Sequence, residues 1–271
     1  LFFKPDGTAM YVTGSGSDAV YEYSLSTAWN VSPASYVRSF SVSAQEGSSS
    51  GLFFKPDGTA MYVTGSGSDS INEYSLSTAW DISTASYVRN FSVSTQDTSP
   101  TGLFFKPDGT AMYITGSSGD DVNQYSLSTA WNVSTASYVR NFSVAAQDTS
   151  PTGVSFKPDG TAMYVIGIIG GAVYEYSLST AWDISTASYV RNFSVAAQDT
   201  TPQELFFKPD GTKMYIAGDT GNDIGQYNTA TFSAITTPAS VQNPPSDTFV
   251  FGDKVSYTFY TLDGGTTVNL I

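Results

Sequence analysis

Residues 52–93, LFFKPDGTAMYVTGSGSDSINEYSLSTAWDISTASYVRNFSV, hold the pattern that decides the fold. The apolar triplet Leu52, Phe53 and Phe54 runs into Pro56, Asp57 and Gly58. Pro presets φ and Gly tolerates a positive φ, so the chain turns there and comes back. The returning segment, 60–64, ends at a second turn over 65–69, and a third β-favouring segment, 70–76, carries Ile71 and Tyr74. A connection over 77–85 leads to 86–93, where Tyr87, Arg89, Phe91 and Val93 share one face and Val88, Asn90 and Ser92 the other. Four short strands joined by turns are therefore predicted, with no helical period anywhere.

The Lys-Pro-Asp-Gly tetrapeptide recurs at Lys4, Lys55, Lys106, Lys157 and Lys208, a constant step of 51 residues. A period near this length marks a solenoid, a propeller or an array. Four antiparallel strands cannot bury both of their faces alone, whereas sheets stacked radially about an axis bury them and leave only short edges. Helical repeats lack the required periodicity here, and a parallel β-helix uses a shorter coil. The expected fold is thus all-β: a β-propeller of four-stranded antiparallel blades, about five in this chain, with a short C-terminal β extension. Its units are 1–51, 52–102, 103–153, 154–204 and a partial 205–237, followed by a Pro-rich linker over 238–247 and a β-strand extension over 248–271. The chain opens at Leu1, inside a repeat and without an initiator Met, which predicts further sequence upstream.

With 24 acidic and 11 basic residues, the formal charge is −13. Such a surface repels phosphate backbones and anionic lipid, so no nucleic-acid partner is expected, and no apolar run is long enough for membrane insertion. Cys and His are both absent, which removes thiol nucleophiles, Cys/His zinc sites and imidazole bases. No cofactor, metal site or catalytic residue is predicted.

The stretch Pro100-Thr101-Gly102-Leu103-Phe104-Phe105-Lys106-Pro107-Asp108-Gly109-Thr110, with Met112-Tyr113-Ile114 after it, resembles the repeats of YVTN-type and TolB-like propellers. The resemblance spans about residues 1 to 230 and bears on fold rather than function. It implies that the strand before each Pro-Asp-Gly turn lines the central channel and that the fourth strand forms the rim. The C-terminal stretches Pro238-Ala239-Ser240-Val241 and Tyr260-Thr261-Leu262-Asp263-Gly264-Gly265-Thr266-Thr267 are similar to segments of marine bacteriophage structural and tail-fibre-like proteins.

Four candidate features follow from the repeat. Trp29, Trp80, Trp131 and Trp182 recur in the connection before the fourth strand and are candidate glycan-stacking groups, against a structural reading in which each indole plugs its own loop. Glu22, Glu73 and Glu175 share one repeat position and face Arg38, Arg89 and Arg191 on the next strand, which fits cross-strand ion pairs better than a carboxylate pair for catalysis. Asp18, Asp69, Asp120, Asp121, Asp219 and Asp223 sit where turns form between the second and third strands, without the alternating spacing of a calcium loop. Ile166, Ile168 and Ile169 replace polar turn residues of the other copies and are a candidate interface. From the phage resemblance and the missing catalytic chemistry, the expected function is a non-enzymatic bacteriophage structural or appendage protein of the virion. It would contact other virion or surface proteins, a homo-oligomer partner, or a host-surface glycan. The alternatives are a secreted or cell-surface bacterial adhesin and, third, a propeller enzyme such as a lactonase or lyase, which needs a carboxylate outside the repeat.

Overall fold

The computed structural model describes residues 1–229 apart from 15, 221 and 222, together with the backbone of two short strands near the C-terminus. Leu1–Phe232 forms one compact unit and Ser233–Ile271 another. The first unit is a five-bladed propeller. Blade I comprises β1 (Phe2–Phe3), β2 (Ala9–Gly14), β3 (Ala19–Leu25) and β4 (Ala34–Ser41). Blade II comprises β5 (Ser49–Phe54), β6 (Ala60–Gly65), β7 (Ser70–Leu76) and β8 (Ala85–Ser92). Blade III is built from β9 (Pro100–Phe105), β10 (Ala111–Gly116), β11 (Asp121–Leu127) and β12 (Ala136–Ser143), and blade IV from β13 (Pro151–Phe156), β14 (Ala162–Gly167), β15 (Ala172–Leu178) and β16 (Ala187–Ser194). Blade V shows β17 (Pro202–Phe207), β18 (Lys213–Gly218) and β19 (Asp223–Asn228). Its expected fourth strand, the 238–247 linker and most of 248–271 lie outside the described residues. In the second unit, β20 (Thr258–Phe259) pairs antiparallel with β21 (Val268–Asn269).

Every blade is a meander of consecutive antiparallel strands, and the first strand of each faces its neighbours across the axis. The ring is held by a contact that the repeat copies from seam to seam. In four of the five second strands the Tyr donates its hydroxyl to the Trp carbonyl of the next blade: Tyr11 to Trp80 at 2.7 Å, Tyr62 to Trp131 at 2.8 Å and Tyr113 to Trp182 at 2.7 Å, whereas Tyr164 of blade IV donates to Glu175 of its own blade. Tyr215 of blade V donates to Trp29 of blade I at 2.6 Å, which closes the circle. These phenols are buried, and burial raises the pKa of Tyr62 and Tyr113 well above the usual phenol range. Near the axis a second set of links runs the same way, with Ser50, Thr101 and Thr152 hydroxyls donating to the carbonyls of Pro100, Pro151 and Pro202.

Replacing Tyr113 with Phe removes one of these links while keeping the ring that packs 4.3 Å from Phe156. The Trp182 carbonyl then loses a partner in a half-buried setting. A loss of about 1–2 kcal/mol in unfolding free energy is expected in urea titration.

Candidate active site

The two ends of the propeller are chemically different, and the register says which residues lie at each. First strands end at the Lys-Pro-Asp-Gly turns, so those turns and the connections carrying Trp share one end. At that end each Trp adopts a left-handed backbone, with φ of 65° at Trp29 and 69° at Trp80. Its indole is half-buried beneath the turn of its own blade. Trp80 stacks on Phe54 at 5.6 Å and on Phe2 of blade I at 6.3 Å, and it fills the space where a Cβ on Gly58 would stand, 2.4 Å from that position. The Trp residues thus sit singly in blades I to IV, in the seams, rather than converging on one site.

The charged rings of this end and of the rim are also internally matched. Lys55 and Asp57 pair at 2.7 Å within one turn, and the other four turns repeat the pair. In the last of them the Asp210 carboxyl is held down at about 2 by hydrogen bonds from Lys208 and Thr212. Arg38, Arg89 and Arg191 meet Glu22, Glu73 and Glu175 across adjacent strands at 3.3, 3.5 and 2.6 Å, as their facing positions predict. Arg38 and Arg140 reach on to Asp81 and Asp183, the N-caps of one-turn 3₁₀ segments in the next blade. These groups bind blade to blade.

The opposite end, where first strands begin and second strands finish, holds the asymmetry. Left-handed Asp18, Asp69 and Asp120 turn the chain there, with φ between 47° and 51°. Their carbonyls accept from the N–H groups of Val42, Val93 and Val144. Buried carboxylates brace the same turns: Asp97 accepts from Ser99 N–H at 2.6 Å and Gly119 N–H at 2.9 Å, and Asp148 accepts from Ser150 and Gly170 N–H at 2.8 Å. The recurring Gln-Asp and Gln-Glu pairs that place them, Gln96-Asp97 and Gln45-Glu46 among them, were a signal in the sequence that the turn aspartates overshadowed.

From this end a cavity of about 950 Å³ runs between blades V and I, across the starts of β5 and β9 and along β2 to Val31, Ser32 and Ala34 at the turn end. Tyr21 and Tyr23, the hydroxyls of Thr13 and Ser49, and the polar side chains of Gln203, Asp219 and Asp223 line it. Thr13 and Ser49 are 2.9 Å apart, oxygen to oxygen, and Gln203 donates to Asp219 at 2.7 Å.

Beside this wall stands, among the described residues, a carboxyl that breaks the repeat within a first strand. Gly51, Gly102 and Gly153 occupy one position in β5, β9 and β13, and Glu204 takes it in β17. Room is made twice over. Across the ladder, Thr64, Thr115 and Ile166 give way to Ala217, and a Cβ on Gly153 would come within 2.5 Å of Glu204 Oε1. The residue is only 5% exposed. Oε1 accepts from Leu205 N–H at 3.0 Å, and Oε2 has no hydrogen-bond partner. Burial pushes the carboxyl up to about 7, against the opposing pull of the Leu205 N–H. Its chain neighbour Gln203 and its ladder partner Ala217 both belong to the cavity wall.

Neither Glu204 nor Gln203 figures among the residues singled out from the sequence, although the change from Pro-Thr-Gly at 100–102 and 151–153 to Pro202-Gln203-Glu204 was readable. The isoleucines separate in the structure. Ile166 is wholly buried in β14 among residues of blades IV and V, Ile168 is half-buried, and Ile169 alone projects, 70% exposed, from the turn that follows. Ile166 faces inward because it pairs with Gly153 on the covered face of the sheet, so the three do not form one surface patch.

No protein-family model matches the chain, and no curated protein does. Solved structures do. The periplasmic gluconolactonase of Pseudomonas aeruginosa aligns at TM-score 0.51 and 16% identity, over 83% of this chain and 64% of that one. A candidate 6-phosphogluconolactonase from Bacteroides uniformis aligns at TM-score 0.50 and 14% identity, over 80% and 65%. A protein from Lactobacillus plantarum gives 0.52 and 13%, over 82% and 64%. The chain spans a little less than two thirds of each of these structures. At such identity the likeness establishes the propeller fold, and the activities belong to the neighbours.

The expectation of a non-enzymatic bacteriophage appendage protein is corrected by these comparisons. Two of these neighbours are named as a gluconolactonase and a candidate 6-phosphogluconolactonase, and neither a family model nor a curated protein carries the phage-tail similarity. The physical reason lies in Glu204: the inference of no catalytic chemistry rested on everything polar being repeated, and this carboxyl is not.

Proposed function

We propose that the protein is a propeller hydrolase that opens a sugar lactone. The observation that carries this reading is Glu204, a buried, unrepeated carboxyl with a pKa of about 7, whose chain neighbour Gln203 and ladder partner Ala217 line a cavity large enough for a monosaccharide. The names of the solved neighbours supply the substrate class.

Lactone hydrolysis needs a water deprotonated as it attacks the ring carbonyl and a proton delivered to the ring oxygen as the C–O bond breaks. A single acid–base group with a pKa near the working pH serves both steps, taking the proton from water and returning it to the departing alkoxide, and the product is the open hydroxy acid. Glu204 Oε2 has its lone pairs uncommitted. The Thr13 and Ser49 hydroxyls and the Gln203 carboxamide offer donors and acceptors for sugar hydroxyls, and Tyr21 and Tyr23 offer apolar ring area.

The test is proton release from D-glucono-1,5-lactone in a pH-stat, with the spontaneous rate subtracted. Hydrolysis saturable in lactone and proportional to protein is expected. A rate equal to the spontaneous one across a panel of five- and six-membered sugar lactones would remove the reading.

A further inference from the structure

Resting on that reading of the cavity, we infer that the site accepts an uncharged sugar lactone and turns away one bearing a phosphate. A phosphate dianion taken out of water needs charge-assisted donors: Arg or Lys side chains, or the N-terminus of a helix. Among the described residues that line the cavity none is Lys or Arg, while Asp219 and Asp223 both do. The first unit contains no α-helix among its described residues, so no helix terminus substitutes.

The basic side chains among the described residues are committed elsewhere. Lys4, Lys55, Lys106, Lys157 and Lys208 are paired within their own turns, and none of them lines the cavity. The four arginines lie on the fourth strands. Lys213 begins β18 at the turn end, where the Gln226 side-chain oxygen accepts from it. The chain's charge of −13 adds a long-range field of the same sign. A neutral ring with hydroxyls finds matching partners on this wall, whereas a phosphate finds two carboxylates, an arrangement that discriminates by repulsion.

The experiment compares D-glucono-1,5-lactone with its 6-phosphate for hydrolysis, and D-gluconate with 6-phospho-D-gluconate for binding by calorimetry, all with the full chain. The neutral lactone is expected to show a kcat/KM about 100-fold above the phosphorylated one. Asp223→Lys, an exposed position, is expected to narrow that gap at least fivefold by speeding the phosphorylated substrate. Equal or faster turnover of the phosphorylated lactone overturns the inference. If neither lactone turns over, the hydrolase reading fails by itself and the binding arm decides selectivity: gluconate bound with phosphogluconate excluded supports it, and phosphogluconate bound as tightly, or neither ligand bound, overturns it.

Discussion

Glu204→Gln lowers the lactone hydrolysis rate by about 10²–10⁴-fold and, at pH 8, makes the protein more stable. Both effects come from one carboxyl. The amide is nearly isosteric and keeps an oxygen for the Leu205 N–H, but it can neither take a proton from water nor return one. For stability the sign follows from the direction of the shift. Glu204 has a folded-state pKa raised from 4.5 to about 7, so the folded protein holds its proton more tightly than the unfolded chain does. The penalty is absent below pH 4.5, grows as pH rises toward 7, and is complete above it. A shift of this size corresponds to about 3 kcal/mol. The Gln variant carries no such penalty, so its stability advantage should be near zero at pH 4 and reach about that value at pH 8. Wild-type activity should rise with pH around 7 as the carboxylate forms. Urea unfolding at several pH values, alongside pH-stat rates, reads both effects. A variant with wild-type rates would show that the carboxyl is a buried oddity of the fifth blade and leave the site without its acid–base group.

The fold was legible because the repeat states it several times. A turn written once as Lys55-Pro56-Asp57-Gly58 is weak; written at a constant spacing, it sets the strand count and the need for radial stacking. The alternation at Tyr87, Arg89, Phe91 and Val93 likewise set the face of β8, and its register against β7 placed Arg89 opposite Glu73. The same repetition hid the site. Reading five copies for what they share selects scaffold, and Trp80, Lys55 and Arg89 turned out to hold seams, turns and rim. Glu204 is visible only by subtraction, as the copy in which Gly becomes Glu, and its significance depends on facts no sequence pattern carries. Ala217 lies opposite it, Gly153 leaves room for the carboxyl, and burial moves its pKa. Ile166 shows the reverse case. It looked like a surface substitution because Val165 to Ala172 departs from the other copies, yet the ladder places it against Gly153, and its volume fills the space between blades IV and V.

Trp29→Ala should be the most destabilising single change, because Trp29 stands at the seam where the first and last blades meet. Its indole stacks on Phe3 at 5.7 Å and on Phe206 of blade V at 6.3 Å, Lys208 lies 5.8 Å from its ring centre, and its carbonyl receives the Tyr215 hydroxyl. Truncating a large aromatic in such a cluster costs about 3–5 kcal/mol. In a linear array, loss of one neighbour contact is shared along the chain, but a ring that opens at its closing seam exposes two blade faces at once. Trp29→Ala is therefore expected to lower Tm more than Trp131→Ala, although Trp131 makes equivalent contacts with Phe105 and Phe53 inside the ring. Backbone strain gives a second, independent check. With φ at 65°, Trp29 sits in the left-handed region that favours glycine. Trp29→Gly removes the same ring but relaxes the backbone, so it should be less destabilising than Trp29→Ala by about 1 kcal/mol, against the usual order in which Gly is the worse replacement. Calorimetric Tm values for Trp29→Ala, Trp29→Gly and Trp131→Ala decide both points. Equal loss at positions 29 and 131 would mean that the ring is not held shut by this seam, and a Gly variant weaker than the Ala variant would mean that the left-handed turn is not what positions the indole.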